Sequence, residues 1–331
     1  MAVGIDFSAD VLTINPAEAT RRIASTLREI ASKQLRRRGA VVGLSGGIDS
    51  SVVAALCVQA LGKERVLGLL MPEAESSSDS LRLGRLLAES LGIRTITEDI
   101  TPILQGARCY ERRDRAIRTV IPRYGSGYKC KLVLPDLLQD DRYPVFYAVV
   151  RAPNGTEERL RLTAEAYLGM IAATNFKQRT RKMMEYYYAD SLHYAVAGTP
   201  NRLEYDQGFF VKLGDGAADV KPIAHLYKSQ VYQLAHYLQV PDEIQQRPST
   251  TDTYSLHQSQ EEFYFSLPLR KLDLCLYAKN GGIDPADVAP VVELPAAQVE
   301  RVYRMIDAKR RATRYLHETA LLIERIPEIH P

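Results

Sequence analysis

Ser45-Gly46-Gly47-Ile48-Asp49-Ser50-Ser51 is the stretch from which the fold can be read. It follows an apolar run, Ala40 to Leu44, and precedes another, Val52 to Leu61. Ser50, Val53, Ala54, Cys57 and Leu61 recur at helical spacing, so the segment reads as buried strand, glycine turn and helix. Such a junction gathers free backbone N–H groups and the positive end of a helix dipole at one point, a cradle for an oxyanion or phosphate. Gly46 and Gly47 admit close approach where a Cβ would obstruct it. Ser45, Ser50 and Ser51 add hydroxyl donors. Asp49 would repel a bare phosphate, so its expected role is to hold a Mg²⁺ that bridges to phosphates. The alternative is a tight turn whose serines only cap the helix.

Working outward, Pro16 to Arg38 reads as an amphipathic helix with Asn15 as its cap. Val66–Met71 is a strand, Ser80–Leu91 a helix closed by Gly92, and Ile93–Ile100 the next strand. This alternation predicts an α/β fold, a doubly wound parallel sheet with helices on both faces, whose ligands bind at the carboxyl ends of the strands. We expect a single domain over 1–331, interrupted by a basic, β-rich insertion at 101–162 and finished by a C-terminal helical segment at 283–331. Within the insertion, Lys131–Leu134, Val145–Val150 and Leu160–Leu162 read as strands, with Asn154-Gly155 as a hairpin turn. A long helix then starts at Thr163. The last helix, about Pro295 to Ile323, is expected to pack on the sheet with its basic residues outward.

Composition excludes several classes. The chain has 331 residues, 46% apolar and 25% charged, as ordinary globular proteins do. A net charge of +3 does not favour a nucleic-acid partner, and no apolar run is long enough to span a membrane. The N-terminus lacks the pattern of a signal peptide. Cys57, Cys109, Cys130 and Cys275 form no C-x-x-C pair, which disfavours zinc or a disulfide framework and suits a reducing cytoplasm.

The loop lacks the Gly-Lys-Ser/Thr element of a Walker sequence. It resembles instead the Ser-Gly-Gly-x-Asp-Ser signature of the PP-loop ATP pyrophosphatases, whose loop holds the pyrophosphate that leaves when ATP adenylates a substrate. Further segments sharpen the resemblance: Asn175, Arg179 and Arg181; Gly198, Thr199, Asn201 and Glu204; Gly214, Asp215, Gly216 and Asp219; Pro222, Ile223, Leu226 and Lys228. With these the chain is similar to the ammonia-dependent NAD synthase family over residues 16–100 and about 163–275.

The resemblance implies that the carboxylate of nicotinic acid adenine dinucleotide is adenylated by ATP and that ammonia then displaces AMP to give NAD. It implies ATP and Mg²⁺ as cofactors, with Asp49 and Glu204 on the metal. Ser45, Gly46, Gly47, Asp49, Ser50, Ser51, Thr199, Lys228 and Ser249 (or Thr250) would bind ATP. Asn175, Arg179 and Asp219 would hold the dinucleotide. Asp49, Lys228 and Asp215 would serve the chemistry, Asp215 beside the entering ammonia. A homodimer is implied as well.

The chain also departs from the family. Residues 101–162 make a longer connection than the family has, and the late loop carries Glu261-Glu262, Ser266 and Pro268-Leu269 at altered positions, while Asp273 keeps its spacing. About forty residues before the loop are too few for a glutaminase domain, so ammonia is expected free or from a separate glutaminase. A paralogue acting on another carboxylate, a tRNA-modifying PP-loop enzyme that uses the basic stretch 108–131, and a non-catalytic scaffold are the competing readings.

Overall fold

Val41 and Val42 are both fully buried, although neighbouring side chains on a strand point to opposite faces. Both faces of that strand must therefore be covered. The computed structural model describes residues 7–133, 146–248, 254–256, 264–265 and 267–328. In it, β1 (Ala40–Gly43), β2 (Val66–Leu70), β3 (Arg94–Thr97) and β7 (Ala195–Val196) form a parallel sheet in the order β3-β2-β1-β7.

Ala40, Val42 and Leu44 share one core with α1 (Pro16–Glu29), α2 (Ile48–Leu61), α3 (Ser78–Leu91), α8 (Lys228–Tyr237) and α9 (Asp242–Gln246). Val41, Leu67 and Leu69 face the other way, onto α4 (Thr101–Gly106) and α6 (Ala164–Leu192). The doubly wound reading is borne out. The first predicted helix ends earlier than Arg38, passing from α1 into a π-helical turn over Ile30–Gln34.

The strand order carries the functional consequence. β2 and β3 extend the sheet on one side of β1, and β7 adds on the other. The winding reverses between β1 and β7, and a crevice opens beyond their carboxyl ends. Residues 45–51 follow β1, and residues 198–204 follow β7. Two segments some 150 positions apart in sequence thus meet at the place where such sheets bind ligands.

Residues 101–118 differ from the β-rich reading, since they form α4 and α5 (Cys109–Arg118). The reason is a buried stripe, Cys109, Arg113 and Ile117, at i, i+4, i+8. Because Arg113 is buried, the stripe does not read as apolar. Then β4 (Lys129–Val133), β5 (Tyr147–Arg151) and β6 (Glu157–Arg161) pair antiparallel in that order. Gly155 turns the β5–β6 hairpin with φ +87°. Cys130, Leu132, Ala148 and Val150 pack this sheet onto Ile117 of α5 and Ala166 and Met170 of α6.

The C-terminal region also differs from expectation. α10 (Leu269–Asn280), α11 (Pro285–Val292) and α12 (Ala296–His317) build a core of their own, with Val299, Val302 and Ile306 of α12 inside it. α12 therefore packs on helices and not on the sheet. No helix among the described residues is long and apolar enough to cross a membrane.

Candidate active site

Gly47 is the N-cap of α2, and no side chain caps this helix start. Ser50 and Ser51 turn their hydroxyls back, donating to the Gly47 carbonyl at 3.0 and 2.8 Å. The serines therefore do not act as helix caps, and the positive end of α2 faces the crevice. Two residues have other roles than expected. Ser51 is fully buried and lines no cavity. Gly46 is buried too: its φ of +72° requires glycine, and a Cβ there would lie 2.6 Å from the Ser80 carbonyl oxygen. Its constraint is thus packing against α3, whereas Ser45, Gly47, Asp49 and Ser50 line the cavity.

Asp49 is the centre of the charged cluster. Its Oδ1 accepts from Asn201 Nδ2 at 3.0 Å, and its Oδ2 accepts from Lys228 Nζ at 2.5 Å. Asn201 caps α7 (Arg202–Gln207) in a reciprocal box with Glu204, each side chain bonding the other's backbone N–H at 3.2 Å. That box orients both Asn201 and Glu204. Lys228 opens α8, where a cation opposes the helix dipole. Asp273 offsets this by accepting from the N–H groups of Lys228 and Ser229 at 3.2 and 2.7 Å. Burial lowers the Lys228 pKa, but the carboxylates of Asp49 and Glu204 outweigh it and hold the ammonium above its ordinary value.

Lys228 is held here by the charges of two carboxylates among the described residues. Among the described residues no three His, Cys, Asp or Glu side chains could hold a metal. Asp49 and Glu204 nevertheless suit Mg²⁺, which takes one or two carboxylates and completes its shell with phosphate oxygens and water.

Asp49 and Glu204 line a cavity of about 1070 Å³ that also reaches Asn175, Arg179, Thr199 and Asp215, while Lys228 and Asn201 are buried behind that lining. Thr199 and Asp215 further border a smaller space of about 150 Å³, beside the buried Lys182–Glu185 pair at 2.5 Å. Burial raises the Asp215 carboxyl above its usual range, although the Val211 N–H and the Lys182 charge oppose the shift. Arg179 donates from Nε to the Lys212 carbonyl at 3.3 Å. Asp219 is the exception: it is exposed, lines neither space, and accepts from the Val196 N–H at 2.8 Å and the Tyr186 hydroxyl at 3.3 Å. Ser249, Thr250, Glu261, Glu262 and Ser266 lie outside the described residues.

Sequence reasoning missed several lining cations. Arg247 donates to the Gly46 carbonyl at 3.3 Å and to Ser80 Oγ at 2.9 Å, so a guanidinium braces the loop after β1. Lys212, Arg301, Arg304 and Lys309 also line the cavity. The last three correct the outward-facing view of α12: Arg301, Arg304, Ala308 and Ala312 lie at i, i+3, i+7 and i+11 on a face next to the core stripe. Burial pushes the Lys309 ammonium down to about 7, and it donates to the Tyr264 carbonyl at 2.6 Å.

The NAD synthase family model matches residues 19–117 and 156–314. The chain belongs to the NAD synthase family. It is 58% identical over 318 residues to the NH(3)-dependent NAD(+) synthetase of Mesorhizobium japonicum, covering 96% of this chain and 100% of that one. To the enzyme of the same name from Rhizobium meliloti it is 56% identical over 323 residues, covering 98% and 96%. Among solved structures, the NMN synthetase from Francisella tularensis has the same fold at a TM-score of 0.65 and 22% identity, over 94% of this chain and 99% of that one. The family model leaves residues 118–155, and so β4 and β5, unmatched.

Proposed function

We infer that this chain is an ammonia-dependent NAD synthase, a carbon–nitrogen ligase. It adenylates the carboxylate of nicotinic acid adenine dinucleotide with release of pyrophosphate, and ammonia then displaces AMP to give NAD. The observation that carries this is the Asp49–Asn201–Lys228 cluster beside an uncapped helix N-terminus, in a family chain similar to such enzymes over nearly its whole length.

The residues suit the steps. The cavity binds ATP with its phosphates at Ser45, Gly47, Ser50 and the start of α2, and Thr199 borders the same space. Mg²⁺ held by Asp49 and Glu204 would neutralise phosphate charge. Lys228, kept cationic by those carboxylates, stabilises negative charge as it grows on the departing pyrophosphate. Asn175 and Arg179 orient the dinucleotide. Asp215, with its raised pKa, is suited to take a proton from the attacking ammonia. Asp219 would act on the dinucleotide only from the surface that α6 shares. Leu168, Met183 and Tyr187 are 62%, 53% and 62% exposed on α6. Met183 and Tyr187 are one turn apart and Leu168 about four turns away, so they form one apolar face that suits a homodimer. Four buried, unpaired cysteines suit the cytoplasm. Ammonia arrives free or from a separate glutaminase.

The test is pyrophosphate release from ATP, Mg²⁺ and ammonium, with and without the dinucleotide. Dinucleotide-dependent release with stoichiometric NAD, both abolished in Asp49→Ala, is expected. Release that ignores the dinucleotide, or none from folded protein, would overturn the assignment.

A further inference from the structure

We propose that the β4–β5 hairpin, which the family model does not include, is a wall of the substrate cavity and binds a heteroaromatic ring of the dinucleotide. The proposal rests on the NAD synthase reading above, which supplies the dinucleotide.

The hairpin is anchored and directed. One face of its strands, Cys130, Leu132, Ala148 and Val150, is buried on α5 and α6. Its ends also reach the cavity: Leu132 and Val133 close β4, Phe146 precedes β5, and all three line the space that holds Asp49. Phe146 stacks on Tyr167 of α6, with ring centroids 3.6 Å apart and planes 13° from parallel. Ile171 lines the cavity next to them. A peripheral elaboration would have no reason to present an aromatic pair to the site.

The rest of the cavity is mixed, with Phe209, Phe210, Tyr264 and Tyr315 beside charged side chains. Lys212, Arg301 and Arg304 bring positive charge from α12 and the segment after α7. A space with an aromatic wall and a basic wall fits a ligand that carries both rings and phosphates.

The hairpin also holds a second contributor in place. The Cys130 N–H donates to Ser255 Oγ at 2.9 Å, and the Leu256 N–H donates to the Cys130 carbonyl at 3.2 Å. These bonds fasten residues 254–256 along the edge of β4, and Tyr254, buried beside them, lines the same cavity. Both ring sources remain reachable. Gln178 of α6 borders the phosphate-loop spaces, and Ile171 and Tyr167 lie roughly 10–17 Å back along the helix at its standard rise. That separation favours the adenine ring over the pyridine ring that carries the reacting carboxylate.

Phe146→Ala and Phe146→Leu, the second of which keeps bulk but no ring, test this in the full-length protein. Steady-state KM values for the dinucleotide and for ATP are measured, with Phe146→Tyr as the conservative control. The expected result is a rise of about tenfold in the KM for the dinucleotide, the scale of one lost ring stack. The KM for ATP should stay within about twofold, and Phe146→Tyr should behave as wild type. Nicotinic acid mononucleotide, added as a competitor, separates the sources. Unchanged inhibition assigns the wall to adenine, and equally weakened inhibition assigns it to the pyridine ring. An unchanged dinucleotide KM in folded Phe146→Leu, or equal rises for ATP and dinucleotide, would overturn the proposal. Failure of the NAD synthase reading would show separately, as a wild-type protein that never makes NAD.

Discussion

Lys228 and Lys177 are both almost wholly buried, each against carboxylates, yet only Lys228 stands at the cavity's charged cluster. Lys177 Nζ donates to Glu73 Oε1 at 2.8 Å and to Glu75 Oε2 at 2.7 Å. Arg113 closes on Glu75 at 2.6 Å, and the Tyr110 hydroxyl donates to Glu73 Oε2 at 2.6 Å. Burial would raise the Glu75 carboxyl, but Lys177 and Arg113 outweigh it and hold its pKa below the usual range. In this network Lys177 and Arg113 meet Glu73, Glu75 and Asp114, and α5, α6 and the loop after β2 are tied together. Around Lys228, the carboxylates of Asp49 and Glu204 hold the ammonium, and both carboxylates line the cavity. The first network lies away from the cavity and ties the frame, whereas the carboxylates of the second reach the cavity, where they suit a cation and its phosphates.

The largest effect that sharpens this comparison is Asp49→Asn. A loss in kcat of about a thousandfold is expected, with a melting temperature close to wild type. If the variant were as active as wild type, the cavity-lining carboxylate would have no function. The converse is Lys177→Met, which strands two buried carboxylates. Denaturant unfolding should show a loss of about 3–5 kcal/mol, with kcat per folded molecule near wild type. A stable but inactive Lys177→Met would erase the distinction.

Lys309 supplies a third contrast, a buried lysine with no carboxylate among the causes of its shift. Unfolded, it titrates near 10.5, and burial pushes the native value down to about 7. Between those values the unfolded state binds more protons, so stability should rise with pH from 7 to 10 by a few kcal/mol. Lys309→Met should flatten that slope in a pH series of unfolding curves. The smallest expected effect is Tyr110→Phe, which removes one hydrogen bond to Glu73 at a cost of about 2 kcal/mol. A drop in activity without that loss of stability would mean that the closed network reaches the chemistry.

Much of this was legible in the chain. The strand–loop–helix at 40–61, the alternation that follows it and the motif residues Asp49, Thr199, Glu204 and Lys228 could be read directly, because each rests on local spacing. α5 could not, because its buried stripe contains Arg113, and the charge that hides the helix is satisfied only by Glu75 from another segment. The cavity face of α12 was hidden for a similar reason. Basic residues on a helix normally face water, and here long apolar stems carry Arg301 and Lys309 to an interior rim. Asp219 matched its motif and still lies on the surface, bonded to the Val196 N–H.

The amino-acid sequence by itself determined the doubly wound sheet, the strand–glycine loop–helix junction and the family, because periodicity, glycine turns and motif spacing are local properties of the chain. Tertiary structure decided which lysine serves the cavity and which serves the frame, and which cations of α12 line the site. It also decided that the β4–β5 hairpin reaches the cavity. Each of these depends on charges and faces brought together from distant segments, and no spacing within one segment encodes such a meeting.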